Sequence, residues 1–231
     1  MTLWGMIDAQ AITFPVRIDG LNHARALYPV DADAARPLLP ACGFDLIETT
    51  PGVAHLILLA LDVHRCPWGP FQEMAVGFYV QPTEASGAPA GALFCTQPTT
   101  QRLSCEVGHR AMGLPTSVAE IGVRYEPAAV TFTLTADGEP ALSLRVPRVP
   151  ARLPPIASEA VLYSTIDGRP YRTDLVFEEP ADVDSDPADV RLDLGTGPLA
   201  DSLRDLALPP APDMCTWGED LSLTLQLATP L

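Results

Sequence analysis

A buried amine that could attack a carbonyl carbon is absent from this chain: none of its 14 basic residues is a lysine. Arginine is no substitute, because its guanidinium stays protonated and is not nucleophilic. Other residue spacings imitate chemistry-bearing motifs without completing them. Gly195-Thr-Gly197-Pro-Leu-Ala200 comes after a strand-like segment, Val190–Leu194, and matches the dinucleotide fingerprint G-x-G-x-x-A. That fingerprint needs a βαβ unit with an acidic residue about 20 positions later; the segment after Ala200 is short and interrupted by proline. Asp182-x-Asp184-x-Asp186 begins like a calcium loop, but Pro187 stands where the loop needs glycine and Asp193 where it needs glutamate. A solvated acidic loop is the better reading. The histidines, His23, His55, His64 and His109, show no H-x-H or H-x-x-x-H spacing. A metal site built from His55, His64 and Glu73 has no support in spacing, and no metal is expected. There is no G-x-S-x-G elbow for a serine hydrolase. The cysteines, Cys42, Cys66, Cys95, Cys105 and Cys215, form no C-x-x-C pair and are odd in number, so buried thiols in a reducing cytoplasm are expected.

The elements around these residues read as a strand-rich α+β fold in one domain, 1–231. Proline makes up 25 of 231 residues, which favours short strands joined by rigid loops. Asp31–Leu39 reads as a short helix closed by Pro40. Val53–Val63, Met74–Val80 and Ala92–Gln97 read as strands. In Thr100–Met112 the apolar Leu103, Val107 and Ala111 recur every four residues, which predicts a helix stopped by Gly113 and Pro115. Period-two segments around Asp137-Gly138 and Asp167-Gly168 predict two hairpins. Pro198–Leu206 reads as another short helix with proline in its first turn. Leu221, Leu223, Leu225 and Leu227 alternate with polar residues, a strand with one wet face.

A net charge of −15 repels phosphate backbones and anionic membranes, so neither nucleic acid nor lipid is expected as a partner. The N-terminus lacks a signal-peptide pattern and Val53–Val63 is too short to span a bilayer. The chain is therefore expected to be cytoplasmic. Its missing lysines and plentiful Ala, Pro, Asp and Arg fit a GC-rich bacterial genome.

Two longer stretches carry a recognisable pattern. One is Gly69-Pro-Phe-Gln-Glu73-Met-Ala-Val-Gly-Phe-Tyr-Val80, with Tyr28–Pro40 upstream. The other is Val107-Gly-His-Arg-Ala-Met-Gly-Leu-Pro-Thr-Ser-Val-Ala-Glu120. Both resemble the acetoacetate decarboxylase family, and Gly197-Pro-Leu-Ala with Leu208-Pro-Pro is similar to that family's closing segment. The resemblance spans about residues 13 to 210. It implies a β-rich fold with a central barrel-like cone, a buried pocket and a homo-oligomer. In that family the first of two lysines attacks a β-keto acid, an amine activated by its surroundings. At the corresponding positions this chain has Thr116 and Ser117, so imine-based decarboxylation is ruled out. His109 and Arg110 replace the arginine and glutamate of the family's G-R-E signature, and Glu73 is kept.

The resemblance thus implies a pocket rebuilt for chemistry without a covalent intermediate and without a cofactor. Glu73, buried among Trp68, Phe71 and Met74, would have a raised pKa and could move a proton. Thr116 and Ser117, with His109 and Arg110, would polarise a carbonyl or hold a carboxylate, and Trp68, Phe71 and Met112 would form apolar walls. Dehydration, enolisation, cyclisation and pericyclic ring closure all fit, on an apolar, polyketide-like substrate of bacterial secondary metabolism. The alternative is a protein that binds such a molecule and catalyses nothing.

Overall fold

The computed structural model describes residues 1–40, 43–84, 87–136, 138–150, 153–180 and 184–231. Its centre is a closed barrel of seven strands: β1 (Val16–Asp31), β2 (Val53–Arg65), β3 (Phe71–Pro82), β4 (Gly91–Thr99), β5 (Pro155–Ile166), β6 (Arg169–Pro180) and β7 (Met214–Leu225). Neighbours pair in the order β7-β1-β2-β3-β4-β5-β6, and β6 returns to β7 from Leu175↔Leu225 to Glu178↔Ser222. Every barrel pairing is antiparallel except β4–β5, which is parallel and spans only Leu162↔Ala92 and Tyr163↔Leu93. Closure leaves no long unpaired edge, the usual liability of a β-rich chain.

The barrel wall is apolar on both faces because both are covered. Along β2, Leu56, Leu58 and Ala60 point outward while Ile57 and Leu61 point inward. Such a strand shows no period-two pattern, which is why Val53–Val63 reads as a continuous apolar run. A second, four-stranded antiparallel sheet packs on the outward face. It is built from Glu120–Tyr125, Ala129–Ala136, Glu139–Pro147 and Arg191–Leu194. Trp217, Tyr28 and Phe132 fill the layer between them. An N-terminal hairpin, Thr2–Ile7 with Gln10–Phe14, adds Ile7, Ile12 and Phe14 to the inward cluster.

Helix α1 (Arg102–Met112) lies at the end of β4. Gln101 caps it: its side-chain oxygen accepts from the Ser104 amide, and its side-chain nitrogen donates to the Trp68 carbonyl. Gly113 ends it at φ 66°, a left-handed conformation that glycine adopts without strain. The Asp167-Gly168 turn has φ of 51° and 73°, the two-residue geometry that matches the twist of paired strands. Asp31 caps the short helix Ala32–Ala35. Of the other expected features, Cys42, the Asp137 turn residue and Asp182 lie outside the described residues. The Gly195–Ala200 fingerprint joins an antiparallel strand to a helix, Pro198–Asp205, so the βαβ context is missing there. No helix among the described residues is long and apolar enough to cross a membrane.

Candidate active site in the barrel interior

The inward faces of the barrel strands line a cavity of about 330 Å³ that opens to solvent beside Ala90 and Glu159. Its walls are mainly aliphatic and aromatic, with Ile57, Leu59, Phe71, Phe94, Phe177 and Leu223 among them. That volume and lining suit a small organic ligand. α1 closes one side: Ser104, Gly108 and Met112, four residues apart on one helical face, all line the cavity. Gly108 permits the close approach, because a Cβ there would meet Thr116 Cγ2 at 2.7 Å.

Glu73 sits in the middle of β3, opposite Leu61 on β2 and Thr99 on β4. It is 7% exposed and opens on the cavity. Burial pushes its pKa up to about 7, partly offset by one hydrogen bond to the ionised form. The donor is Gln97 Nε2, 2.8 Å from Glu73 Oε1. A carboxyl titrating near neutrality is poised to give or take a proton, whereas an ordinary glutamate is committed to the ionised form.

Trp68, Phe71, Met112 and Thr116 share the cavity with Glu73. Thr116 does not have the freedom expected of it, because its hydroxyl donates to the Cys105 carbonyl of α1 at 2.8 Å. It can accept a hydrogen bond from a ligand but has no hydrogen left to polarise a carbonyl. Ser117 is exposed and outside the cavity. Thr116–Val118 is a short strand, and consecutive side chains of a strand point to opposite faces. The two positions aligned with lysines therefore face different compartments. His109 and Arg110 are also outside. They come after Gly108 around the helix on its solvent face, where they border a surface cleft, and the Arg110 guanidinium lies 5.8 Å from the Trp4 ring centroid. Helix and strand geometry thus puts Ser117, His109 and Arg110 outside the cavity that holds Glu73.

Two cavity residues went unread in the sequence. Gln97 is one; a lone amide belongs to no motif. The other is Arg25 of β1, which lines the cavity. Its buried Nε has no hydrogen-bond partner, and no carboxylate pairs with it among the described residues. Arg25 pairs with Leu59, which pairs with Ala75, two residues beyond Glu73 on β3. Strand spacing and rise put the Arg25 and Glu73 backbones roughly 12 Å apart across two strands. Neighbouring His23 is buried and held neutral, its pKa lowered by burial to about 3. The histidines considered for a metal are scattered: His55 meets Asp213 and His64 meets Asp62. Among the described residues no group of His, Cys, Asp or Glu is placed to hold a metal ion.

No protein-family model matches the chain, and no curated protein matches it. Solved structures do. Acetoacetate decarboxylase from Legionella pneumophila superposes with a TM-score of 0.71 at 14% identity, covering 99% of this chain and 93% of that one. The fold is that of acetoacetate decarboxylase. An acetoacetate decarboxylase-like enzyme from Sphingomonas wittichii RW1 gives 0.65 at 14% identity, over 100% of this chain and 99% of that one. The enduracididine biosynthesis enzyme MppR, solved with the condensation product of pyruvate and imidazole 4-carboxaldehyde, gives 0.56 at 17% identity over 95% and 90%. These likenesses establish the acetoacetate decarboxylase fold; the chemistry of the cavity depends on its own side chains.

Proposed function

We propose that this chain is an enzyme that moves a proton next to a carbonyl of a small apolar keto acid, with Glu73 as the acid and base and no covalent adduct. The observation that carries this reading is a buried carboxyl, brought to near-neutral pKa, opening on an apolar cavity. Ionised Glu73 removes a proton from the carbon beside the carbonyl, the C–H pair becomes a C–C π bond, and the carbonyl oxygen takes the negative charge. The same proton, now on Glu73, then returns to carbon or leaves with a β-hydroxyl as water. Alternatively, the enolate carbon attacks a second carbonyl of the same chain, and the new alkoxide takes the proton, closing a ring. In each course atoms and charge balance without a cofactor.

Arg25 supports an acid as substrate. The half-buried Arg25 guanidinium, with its Nε unpartnered beside the cavity, is available to an anion, and a carboxylate held there would leave the carbonyl end to Glu73. The MppR complex, which holds a pyruvate-derived product on the same fold, supports the keto acid class, and its biosynthetic role supports a place in secondary metabolism.

The test is hydrogen–deuterium exchange of α-protons in a panel of apolar keto acids, monitored by NMR in D2O, with binding measured by quenching of Trp68 fluorescence. Glu73→Gln should slow exchange about 100-fold while leaving affinity within about threefold, the size expected when a general base is lost. Arg25→Gln should instead weaken binding of the acids by about 10- to 100-fold, the worth of a charge-assisted hydrogen bond. Unchanged exchange in Glu73→Gln removes the proposed role, and tight binding without exchange by the native protein would mark a binding protein.

A further inference from the structure

Gln97 carries a donor that its contact with Glu73 does not use. The carboxamide nitrogen bears two hydrogens, and one is donated to Glu73 Oε1 at 2.8 Å. The orientation of the amide is set by that contact. When Glu73 is ionised, the form that acts as a base, it only accepts hydrogen bonds, so nitrogen and not oxygen faces it. The amide oxygen points the other way, sealed within protein and without a hydrogen-bond partner. Gln97 is 6% exposed and lines the cavity. With its oxygen sealed off, Nε2 is the polar atom of Gln97 left to meet a ligand.

We propose that the second Nε2–H of Gln97 receives the substrate's carbonyl oxygen while Glu73 handles the proton on the adjacent carbon. This assignment rests on Glu73 being the base. In an enolisable ketone the carbonyl oxygen and the α-hydrogen sit on neighbouring carbons. A donor and a base 2.8 Å apart on adjoining strands, Gln97 on β4 and Glu73 on β3, can meet both at once. As the C–H bond breaks, the carbonyl π pair moves onto oxygen, and a fixed N–H in an apolar cavity stabilises that charge more in the enolate than in the ketone. The unsatisfied amide oxygen is then the cost of an orientation that keeps the donor turned toward the substrate. Arg25, Tyr79 and Glu159 are the other titratable or charged groups on the cavity, and none of them contributes to the shift of Glu73.

Gln97→Leu tests this in the same exchange assay, run at saturating keto acid across pH. The plateau rate should fall about 100-fold, as for removal of one oxyanion donor, with affinity by Trp68 quenching within about threefold. The pH midpoint should also move upward, because the deleted bond favours the ionised carboxyl. Should Gln97→Leu fail to fold, Gln97→Asn keeps the amide but withdraws it by one methylene, and its plateau should fall as well. An unchanged plateau in a folded variant, with only the midpoint or KM moved, overturns the donor role, because a residue that merely tunes Glu73 would do the same. Glu73→Gln separates the two claims. If exchange survives in Glu73→Gln, the base itself is wrong. If Glu73→Gln is inactive and Gln97→Leu keeps its plateau, only the donor assignment falls.

Discussion

On the outside of the barrel wall, Ala24, Ala26 and Tyr28 of β1 and Leu56, Leu58 and Ala60 of β2 meet the second sheet in a layer filled by Trp217 and Phe132. On the inside, the alternate residues of the same strands, Arg25, Ile57, Leu59 and Leu61, surround about 330 Å³ of space. One backbone thus supports a filled core and a hollow one, separated only by the side-chain alternation of a strand. The polar content differs in the same way: the filled layer is hydrocarbon and aromatic, while the hollow one holds Arg25, Glu73 and Gln97. Empty apolar volume and unpaired polar atoms both cost stability. The filled layer leaves the Tyr28 hydroxyl unpartnered, so what sets the barrel interior apart is open volume lined by Arg25, Glu73 and Gln97.

The sharpest way to break this comparison is to change volume on each side. Phe132→Ala should destabilise the protein by about 3–5 kcal/mol in urea unfolding and leave keto acid binding intact. Leu59→Phe, which adds bulk on the hollow side, should cost less than about 1 kcal/mol because it occupies empty space instead of overpacking a full core. It should also abolish binding. A large destabilisation by Leu59→Phe would mean that the interior is not empty.

The buried titratable groups sharpen the comparison through pH. Glu73 has a pKa raised in the folded state, so its proton stabilises the fold fully below about pH 4.5. That contribution, about 3 kcal/mol, is lost as pH rises through about 7. His23 is lowered to about 3, so it contributes above about pH 6.5, and up to about 5 kcal/mol is lost as pH falls toward 3. The native protein should therefore be most stable between these limits, and Glu73→Gln should remove the decline on the neutral side only. Urea unfolding at a series of pH values checks both signs.

Thr116→Val should have the smallest effect. Its hydroxyl serves the Cys105 carbonyl, so turnover should change by less than about threefold and stability should drop by about 1 kcal/mol. A large loss of turnover would return Thr116 to the catalytic machinery.

Much of the architecture was legible in the residues. The Asp167-Gly168 hairpin, the four-residue spacing of α1 and the Gly113 stop are local signals, and the structure carries each where the pattern puts it. Strand β1 was not legible. Its charged and polar Arg17, Asp19, Asn22, His23 and Arg25 break any apolar rhythm, and they are tolerated because barrel closure buries some and leaves others at the rim. The site divides along the same line. Glu73 was marked by the family resemblance of Gly69–Val80; of the neighbours expected around it, Trp68 and Phe71 share the cavity while Met74 lies on the outward face. Arg25 lies in a segment that looks solvated, and Gln97 carries no charge or motif. Ser117, His109 and Arg110 lie apart from Glu73 because adjacency in sequence does not survive a strand's alternation or a helix's rotation.

The titration of Glu73 itself is the most direct test. Isotope-edited infrared spectra of 13C-glutamate-labelled protein, taken as the native-minus-Glu73→Gln difference across pH, isolate its carboxyl band. A midpoint near 7 that shifts when a keto acid fills the cavity is the predicted result. A midpoint at the ordinary glutamate value, about 4.5, unmoved by ligand, would contradict the account.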